Sequence, residues 1–206
     1  VLYKMPGSDK TVPTKKTLEK IRLKLKIPIV AIWGDLEIEE QINISKSILP
    51  YVDLNVATAS SAAVTRINNT KYVYAWVPKD EKIFYPHINN QRDIDVCYIG
   101  SPKGDRLKYI AFVKKKGIRV FSGGGERQEH LTTNQFADTY RRTKIALSFS
   151  RAHFSHVINA RPFEAMSCGA MVIEQKSFET PKLYKPYIEY VPYGSKQDLL
   201  KKIKYY

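Results

Sequence analysis

The sequence predicts an α/β chain with two successive lobes, each built around a mainly parallel β-sheet. Short β-rich runs alternate with amphipathic helical stretches, a pattern typical of parallel strands joined by crossover helices. The alternation stops between residues 78 and 92, where two prolines and Asn89-Asn90 occur without periodicity, and then it restarts. A chain of 206 residues, of which 43% are hydrophobic, is long enough to bury two small cores.

The first lobe is predicted to cover residues 1–88. Thr14 is the expected N-cap of its first helix, because apolar residues at one-face helical spacing follow it. The further predicted elements are a strand at 29–33, a helix at 39–48, a strand at 52–57, a helix at 61–67 and a strand at 72–77. This lobe is short for a complete unit of its kind, so we expect it to be incomplete.

The second lobe, residues 89–206, repeats the cycle of strands and helices. Strands are predicted at 96–99, 118–121, 145–149, 170–174 and 188–191, and helices at 106–116, 134–143, 162–168, 181–185 and 196–205. In the first of these helices we expect Leu107, Ile110 and Ala111 to face inward. Two consecutive βα-repeating units are typical of two Rossmann-like lobes, in which ligands bind beyond the carboxyl ends of the strands.

Composition excludes several classes of protein. The longest apolar run, Ile27 to Trp33, is too short to cross a bilayer, and the N-terminus does not resemble a signal peptide. The two cysteines, Cys97 and Cys168, can form neither a disulfide scaffold nor a four-ligand zinc site. No dedicated metal site is expected from four scattered histidines. We expect a cytoplasmic protein, with peripheral contact to a membrane as an alternative.

The net charge of +14 is concentrated in the second half of the chain. Residues 91–206 contain 21 basic and 11 acidic side chains. Such a balance fits nucleic acid, an anionic membrane surface or a phosphate-bearing ligand. The run Lys114–Lys116 also fits an ordinary solvated helix end, where cations suit the helix dipole. Charge therefore predicts an anionic partner without naming one.

Residues 161–173 form the strongest motif, a predicted helix start followed by a small-residue turn and a buried strand. Pro162 suits the first helical turn, and Gly169 suits the left-handed position after the helix. Glu164 is expected in the first turn, where a carboxylate is favourable. As an acceptor-only group it could bind two sugar hydroxyls, or it could serve only its own helix N-terminus.

Two glycine-containing turns follow the first two strands of the second lobe. In residues 100–106, which include Ser101, N–H groups at a helix N-terminus favour an anionic diphosphate. Arg106 is the preferred neutralising cation over Lys103, although an arginine at a helix start is more often just solvated. In the second turn, Gly123 and Gly124 let backbone approach a flat ligand such as a nucleobase, although a flexible loop explains them equally well.

The first lobe offers one acidic candidate for catalysis. Asp35 follows the predicted strand that ends at Trp33, at the edge where ligand-binding residues are expected. It could act as a base on the acceptor side, or simply begin the next helix together with the glutamates that follow it.

The Arg161–Ile173 segment resembles the C-terminal-domain signature of GT-B glycosyltransferases, in which Arg-x-Phe-Glu-Ala-x-x-x-Gly precedes a hydrophobic strand. The resemblance is to the group 1-like branch related to the spore-maturation glycosyltransferases. Other matches follow in order, at Asp95–Ser101, Tyr140 with Lys144–Ser148, and Tyr190–Tyr193. The resemblance covers residues 70–206 well and residues 27–70 loosely.

The resemblance implies a role for each candidate residue in the second lobe. Glu164 would hold the ribose of the donor, Ser101 and Arg106 its diphosphate, and the Gly123–Gly125 loop its base. Arg161 would reach the phosphates or brace Glu164. Many retaining members have a Glu-x7-Glu motif, but this chain has His156 at the first position. His156 could contact the donor sugar or its phosphate, or be an ordinary loop histidine, and both retaining and inverting chemistry stay open.

The resemblance therefore implies a metal-independent glycosyltransferase that needs no cofactor. Its donor would be a nucleotide diphosphate sugar and its acceptor a glycan, a lipid-linked molecule or a protein, with no specific nucleic acid partner. Lobe closure would keep water from hydrolysing the donor. The alternative is a non-catalytic module that binds a nucleotide sugar or nucleic acid. The net charge, the short first lobe and the presence of His156 in place of the first glutamate of the motif support this alternative.

Overall fold

The computed structural model of the protein describes residues 13–34, 36, 38–58, 60–76, 79–87, 91–101, 104–123, 131–149, 158 and 160–206, and the backbone of residues 2–5. Two compact units divide the chain, Val1–Val77 with His156–Ile158 and Pro78–Ser155 with Asn159–Tyr206. The segment 79–87 belongs to the second unit because Phe84 is buried in the same apolar cluster as Tyr140. The sequence places the boundary later, at residue 88, since this segment has no periodicity.

The first unit is built on a four-stranded parallel sheet. Its strands are β1 (Leu2–Met5), β2 (Val30–Trp33), β3 (Leu54–Ala57) and β4 (Tyr72–Tyr74), in the order β1-β2-β3-β4, and its helices are α1 (Lys15–Leu25), α2 (Glu39–Ser47) and α3 (Ser61–Ile67). Thr14 caps α1 as predicted, since its side chain accepts a hydrogen bond from the backbone N–H of Thr17. The sequence analysis misses β1, whose pairing with β2 joins residues far apart along the chain.

The second unit is built on a five-stranded parallel sheet. Its strands are β5 (Ile94–Ile99), β6 (Val120–Gly123), β7 (Thr143–Ser148), β8 (Met171–Gln175) and β9 (Val191–Tyr193), and its helices are α4 (Asp105–Lys115), α5 (Thr133–Arg141), α6 (Ala160–Ser167), α7 (Thr180–Leu183) and α8 (Lys196–Tyr205). The order is β6-β5-β7-β8-β9, so the direction of strand progression reverses between β5 and β7. Such a reversal opens a crevice at the carboxyl edge of a parallel sheet, where ligands bind.

Helices cover both faces of this second sheet. On one face, Ile110 and Val113 of α4 and Leu199 of α8 share a buried cluster with Val96 and other strand residues. On the other face, residues of α5 and α6 pack with the strand residues that alternate with these, including Cys97 and Ile99. The doubly wound α/β architecture expected from the sequence is therefore present.

Two predictions about the second unit are wrong. Leu107 is 52% exposed and Ala111 is exposed as well, because α4 contributes Ile110 and Val113 to the core instead. The last strand is Val191–Tyr193 rather than 188–191, and Ile188 is 79% exposed. Residues 185–190 instead form a turn in which the backbone N–H of Tyr187 donates to the Tyr190 carbonyl.

Candidate functional site

A nearly buried carboxylate lies close to the carboxyl edge of the second sheet. Glu164, on α6, is 6% exposed. Lys79 Nζ donates to its Oε1 at 2.6 Å, and Arg161 Nη1 donates to its Oε2 at 3.1 Å. The helix begins at Ala160, two residues earlier than predicted, so Glu164 lies beyond the first turn. Two cations, rather than the helix N-terminus, therefore compensate its burial.

Arg161 is anchored at three points. Its Nε donates to the carbonyl oxygen of Ile99 at 3.1 Å, where β5 ends, while Nη1 bonds Glu164. The guanidinium also lies over the ring of Phe136, 5.0 Å from the centroid, within the range of a cation–π contact. The side chain thus joins the end of β5, α5 and α6, and the structure places it as a brace for Glu164.

An open cleft of about 390 Å³ exposes one side of this ion cluster. It lies between the N-terminal halves of α5 and α6 and the segment 79–84, wholly within the second unit. Its lining residues are Lys79, Asp80, Phe84, Leu131, Thr133, Phe136, Arg161 and Glu164. The cleft therefore combines cations, two carboxylates and an apolar wall, the mixture expected where a small polar ligand binds.

The apolar wall consists mainly of Phe84 and Phe136. Their rings meet edge to face with centroids 6.0 Å apart. Phe136 also contacts Tyr140, which is buried in the core, so the wall continues into the packed interior. A cation lies near each ring, Lys79 Nζ 5.8 Å from the centroid of Phe84 and the Arg161 guanidinium over Phe136. The rings offer a rigid surface against which a flat group could lie.

The turn after β5 is held by a local hydrogen-bond cluster. The carbonyl oxygen of Ser101 accepts bonds from Tyr98 Oη at 2.8 Å and from Arg106 Nη1 at 3.2 Å. Burial raises the pKa of the Tyr98 hydroxyl, so Tyr98 stays a hydrogen-bond donor near neutral pH. The Ser101 hydroxyl is buried and finds no hydrogen-bond partner among the described residues. Buried hydroxyls normally have one, so this group is a candidate for a ligand contact.

Gly123 ends β6 beside the same turn. Its carbonyl accepts a hydrogen bond from the backbone N–H of Gly100 at 2.9 Å. A Cβ at this position would lie 3.1 Å from Leu131 and 3.2 Å from Phe121. The glycine therefore permits close packing against Leu131, a residue of the cleft wall.

The structure brings some of the predicted site residues together. Glu164 and Arg161 are in direct contact, and Arg161 bonds the end of β5 just before Ser101. Arg106 bonds the Ser101 carbonyl, and Gly123 packs against the cleft wall. The remaining candidates, Asp35, His156 and Gly124, lie outside the described residues.

The sequence analysis misses Lys79, Phe84 and Phe136. Lys79 and Phe84 lie in the stretch taken as a linker, which has no periodicity to indicate packing. Phe136 is an unremarkable apolar position of α5. The family resemblance over residues 70–206, which includes this stretch, is the sequence signal that could have drawn attention to Lys79.

A second carboxyl group, Glu174, is buried at the carboxyl end of β8. It is 0% exposed and accepts a hydrogen bond from Ser148 Oγ at 3.3 Å. Burial raises its pKa from the usual 4.5 to about 7, against the opposing effect of hydrogen bonds from Thr180 and Ser148. Its Oε2 has no hydrogen-bond partner in the described part of the chain. Glu174 is thus a carboxyl group that burial drives toward its neutral form.

Two further features are absent from the part of the chain that the structure describes. No group of three or more His, Cys, Asp or Glu side chains is placed to hold a metal ion among those residues. None of the described helices combines the length and the apolar character needed to span a membrane.

The family match places the chain among the glycosyltransferase-like proteins, and the fold is of the GT-B type, as the sequence predicts. The chain belongs to the glycosyl transferase-like family, whose model matches residues 83–206. The match covers most of the second unit, including Glu164, Arg161 and the segment that supplies Phe84. A comparison with curated protein sequences finds no match.

Solved structures with the same fold include Anabaena HepE and a β-glucosyltransferase. Anabaena Alr3699/HepE, in complex with UDP and glucose, superposes with a TM-score of 0.64 at 13% identity over 93% of this chain and 66% of HepE. The same protein with UDP-glucose gives a TM-score of 0.63. The DNA-modifying enzyme β-glucosyltransferase gives 0.57 at 14% identity, over 94% of this chain and 68% of that enzyme. The chain thus spans about two thirds of the length of these proteins.

Proposed function

We propose that the protein is a glycosyltransferase that transfers a sugar from a nucleotide diphosphate donor, and that the cleft at Glu164 binds the donor. The observation that carries the proposal is a carboxylate, 6% exposed, that lines an open cleft at the carboxyl edge of the sheet. Family membership and the UDP and UDP-glucose complexes of HepE support the choice of ligand class.

Glu164 holds the ribose in this proposal. A carboxylate accepts hydrogen bonds on both oxygens, which matches the two neighbouring hydroxyls of a ribose ring. Such charge-assisted bonds are about twice as strong as neutral ones and keep the nucleoside in one orientation. Arg161 donates a hydrogen bond to the carboxylate, so the negative charge remains at a fixed position. The apolar wall of Phe84 and Phe136 contacts a flat or apolar part of the donor.

The diphosphate lies toward the end of β5. Arg161 and Arg106 supply positive charge there, and the N-terminus of α4 supplies backbone N–H groups. The Ser101 hydroxyl, which has no hydrogen-bond partner among the described residues, donates to a phosphate oxygen. When the bond to the sugar breaks, negative charge develops on the departing nucleoside diphosphate. Fixed cations stabilise that charge, so transfer proceeds without a divalent metal ion.

The first unit binds the acceptor, which is a glycan, a lipid-linked molecule or a protein. Asp35 acts there as the base that removes the acceptor proton, and His156 contacts the donor sugar or its phosphate. Asp35→Asn should therefore leave nucleotide affinity unchanged and abolish transfer. An Asp35→Asn variant that transfers sugar as fast as the wild type would exclude this role.

A thermal-shift screen of UDP, GDP, ADP and CMP, in EDTA and in magnesium, tests the donor site. We expect one nucleoside diphosphate to raise the melting temperature equally in both buffers, because a ligand that binds only the folded state stabilises it. Glu164→Gln should remove that shift. The matched control is Glu81→Gln, which changes an exposed glutamate of the segment 79–84.

Three results would contradict the proposal. The donor site is excluded if the folded wild-type protein responds to none of the four nucleotides. It is also excluded if Glu164→Gln responds as fully as Glu81→Gln does. A shift seen in magnesium alone would refute metal-independent binding and leave the ribose contact standing.

A further inference from the structure

Lys79 and Arg161 each form an ion pair with Glu164, but Arg161 has more contacts with the rest of the protein. Arg161 keeps a hydrogen bond to the Ile99 carbonyl and a stacking contact on Phe136 even without Glu164. Glu164 is the one hydrogen-bond acceptor of Lys79 in the described parts of the chain. Its other contact is the Phe84 ring at 5.8 Å, near the outer limit for a cation–π interaction. Among the described residues, Lys79 is therefore the cation with fewer anchoring contacts, and Glu164 is its one hydrogen-bond acceptor there.

The ion pair occupies acceptor positions that a ribose would need. Glu164 offers about four lone pairs on its two oxygens, and a cation is already bonded to each oxygen. A pair of neighbouring hydroxyls binds a carboxylate best with one hydroxyl on each oxygen. The better-anchored Arg161 can share Oε2, whereas Lys79, which has fewer anchoring contacts among the described residues, contacts Oε1 at 2.6 Å.

A displaced Lys79 ammonium needs a new partner. Its side chain is 17% exposed, so an unpaired charge at this position is only partly solvated. The lysine stem has four carbons and rotates freely, which lets the ammonium move to another anion in the same cleft. A nucleoside diphosphate brings such an anion, whereas a nucleoside does not.

We propose that Lys79 is a further donor-binding residue, which leaves Glu164 when ribose hydroxyls bind and pairs with the donor's phosphate. This inference rests on the proposed function, because it assumes that Glu164 binds ribose. Exchange of one anionic partner for another makes the cleft selective, since a ligand without phosphate must break the ion pair without replacing it. Lys79 thereby couples ribose binding to phosphate binding.

Calorimetric titration of UDP and uridine, with GDP and guanosine and with ADP and adenosine as parallel pairs, tests the proposal. Lys79→Met should weaken the nucleoside diphosphate about tenfold or more, the loss expected for one charge-assisted contact. The same variant should bind the matching nucleoside as well as the wild type or better, because the competing ammonium is gone. Lys79→Arg should restore most of the preference for the diphosphate.

The matched control is Lys82→Met, which changes an exposed lysine of the same segment and should bind both ligands like the wild type. Equal weakening of diphosphate and nucleoside by Lys79→Met would overturn the inference, because it would show that Lys79 only orients Glu164. Unchanged diphosphate affinity in Lys79→Met would overturn it as well. If that result accompanies a loss in Glu164→Gln, the donor site stands and only the role of Lys79 falls. If the wild type binds none of the three diphosphates, the proposed function itself is wrong.

Discussion

Glu164 illustrates how a functional charge is kept inside a folded protein. An uncompensated carboxylate at 6% exposure would cost several kcal/mol, because burial removes its hydration. Lys79 and Arg161 compensate it, and together the three side chains have a net charge of +1. The two cations that compensate Glu164 are also the ones that the proposed donor site uses.

Gly169 is a residue whose identity is dictated by the backbone conformation. It follows α6 with φ +77°, and a Cβ there would lie 2.8 Å from Arg92 Nη2 and 3.4 Å from Pro86. Gly117, after α4, has φ +85° with nothing within 4 Å of the same position. A comparison of alanine substitutions at these two glycines therefore distinguishes the cost of a left-handed backbone from the cost of steric overlap.

We predict that Gly169→Ala lowers the free energy of unfolding by about 2 kcal/mol or more. Gly117→Ala should lower it by about 1 kcal/mol, since it adds only the strain of a left-handed alanine. Urea denaturation of both variants measures the difference. Equal losses would show that Arg92 moves aside without cost and would contradict this account of the turn.

The ion pair between Lys79 and Glu164 could not be predicted from the sequence. Its partner Glu164 lies 85 positions further along the chain. Helical or strand periodicity relates residues a few positions apart, so it cannot predict this ion pair. Glu164 and Arg161 were predictable because they lie three positions apart in one motif, on one side of one helix.

At the scale of the element, β8 contains a carboxyl group that links stability to pH. Glu174 is protonated in the folded protein up to about pH 7, whereas in the unfolded chain it ionises at its ordinary pKa of 4.5. Its contribution to stability is complete below pH 4.5 and is lost as the pH rises toward 7. From about pH 4 to about pH 8 the loss amounts to about 3 kcal/mol.

We predict that Glu174→Gln removes this pH dependence. The free energy of unfolding of the variant, relative to the wild type, should rise by about 3 kcal/mol between about pH 4 and about pH 8. Glu81→Gln, the same substitution at an exposed glutamate, is the control. Chemical denaturation at a series of pH values measures both. A constant difference for Glu174→Gln would mean that Glu174 is ionised in the fold.

Helix α4 is predicted at the right place in the sequence, but the wrong face of the helix is predicted to be buried. Ile110 and Val113 define its buried face. On an ideal helix Leu107 lies about 90° and Ala111 about 130° from the middle of that face, so both are exposed. Apolar residues occur on more than one side of this helix, and packing against β6 and α8 selects the side that is buried. The bounds of α3 and α8, by contrast, match the prediction, because Ser60 and Ser195 cap them.

At the scale of the whole molecule, the sequence predicts the fold class and the positive charge but not the cleft. The alternation of strands and helices predicts the α/β class from the sequence, because each parallel strand needs a crossover helix. The cleft could not be predicted in detail, since it forms where three segments far apart in sequence meet. The charge of +14 favours an anionic ligand over the whole surface, and the cluster at Glu164 gives that preference a location.

The contact between Glu164 and ribose is the claim on which the donor site depends. A thermodynamic cycle tests it directly, with calorimetric titration of UDP and 2′,3′-dideoxy-UDP against the wild type and Glu164→Gln. We predict that Glu164→Gln weakens UDP about tenfold or more and leaves the affinity for the dideoxy ligand unchanged, because that ligand has no hydroxyls for the carboxylate to bind. Equal weakening of both ligands, or of neither, would contradict the assignment of Glu164 to the ribose.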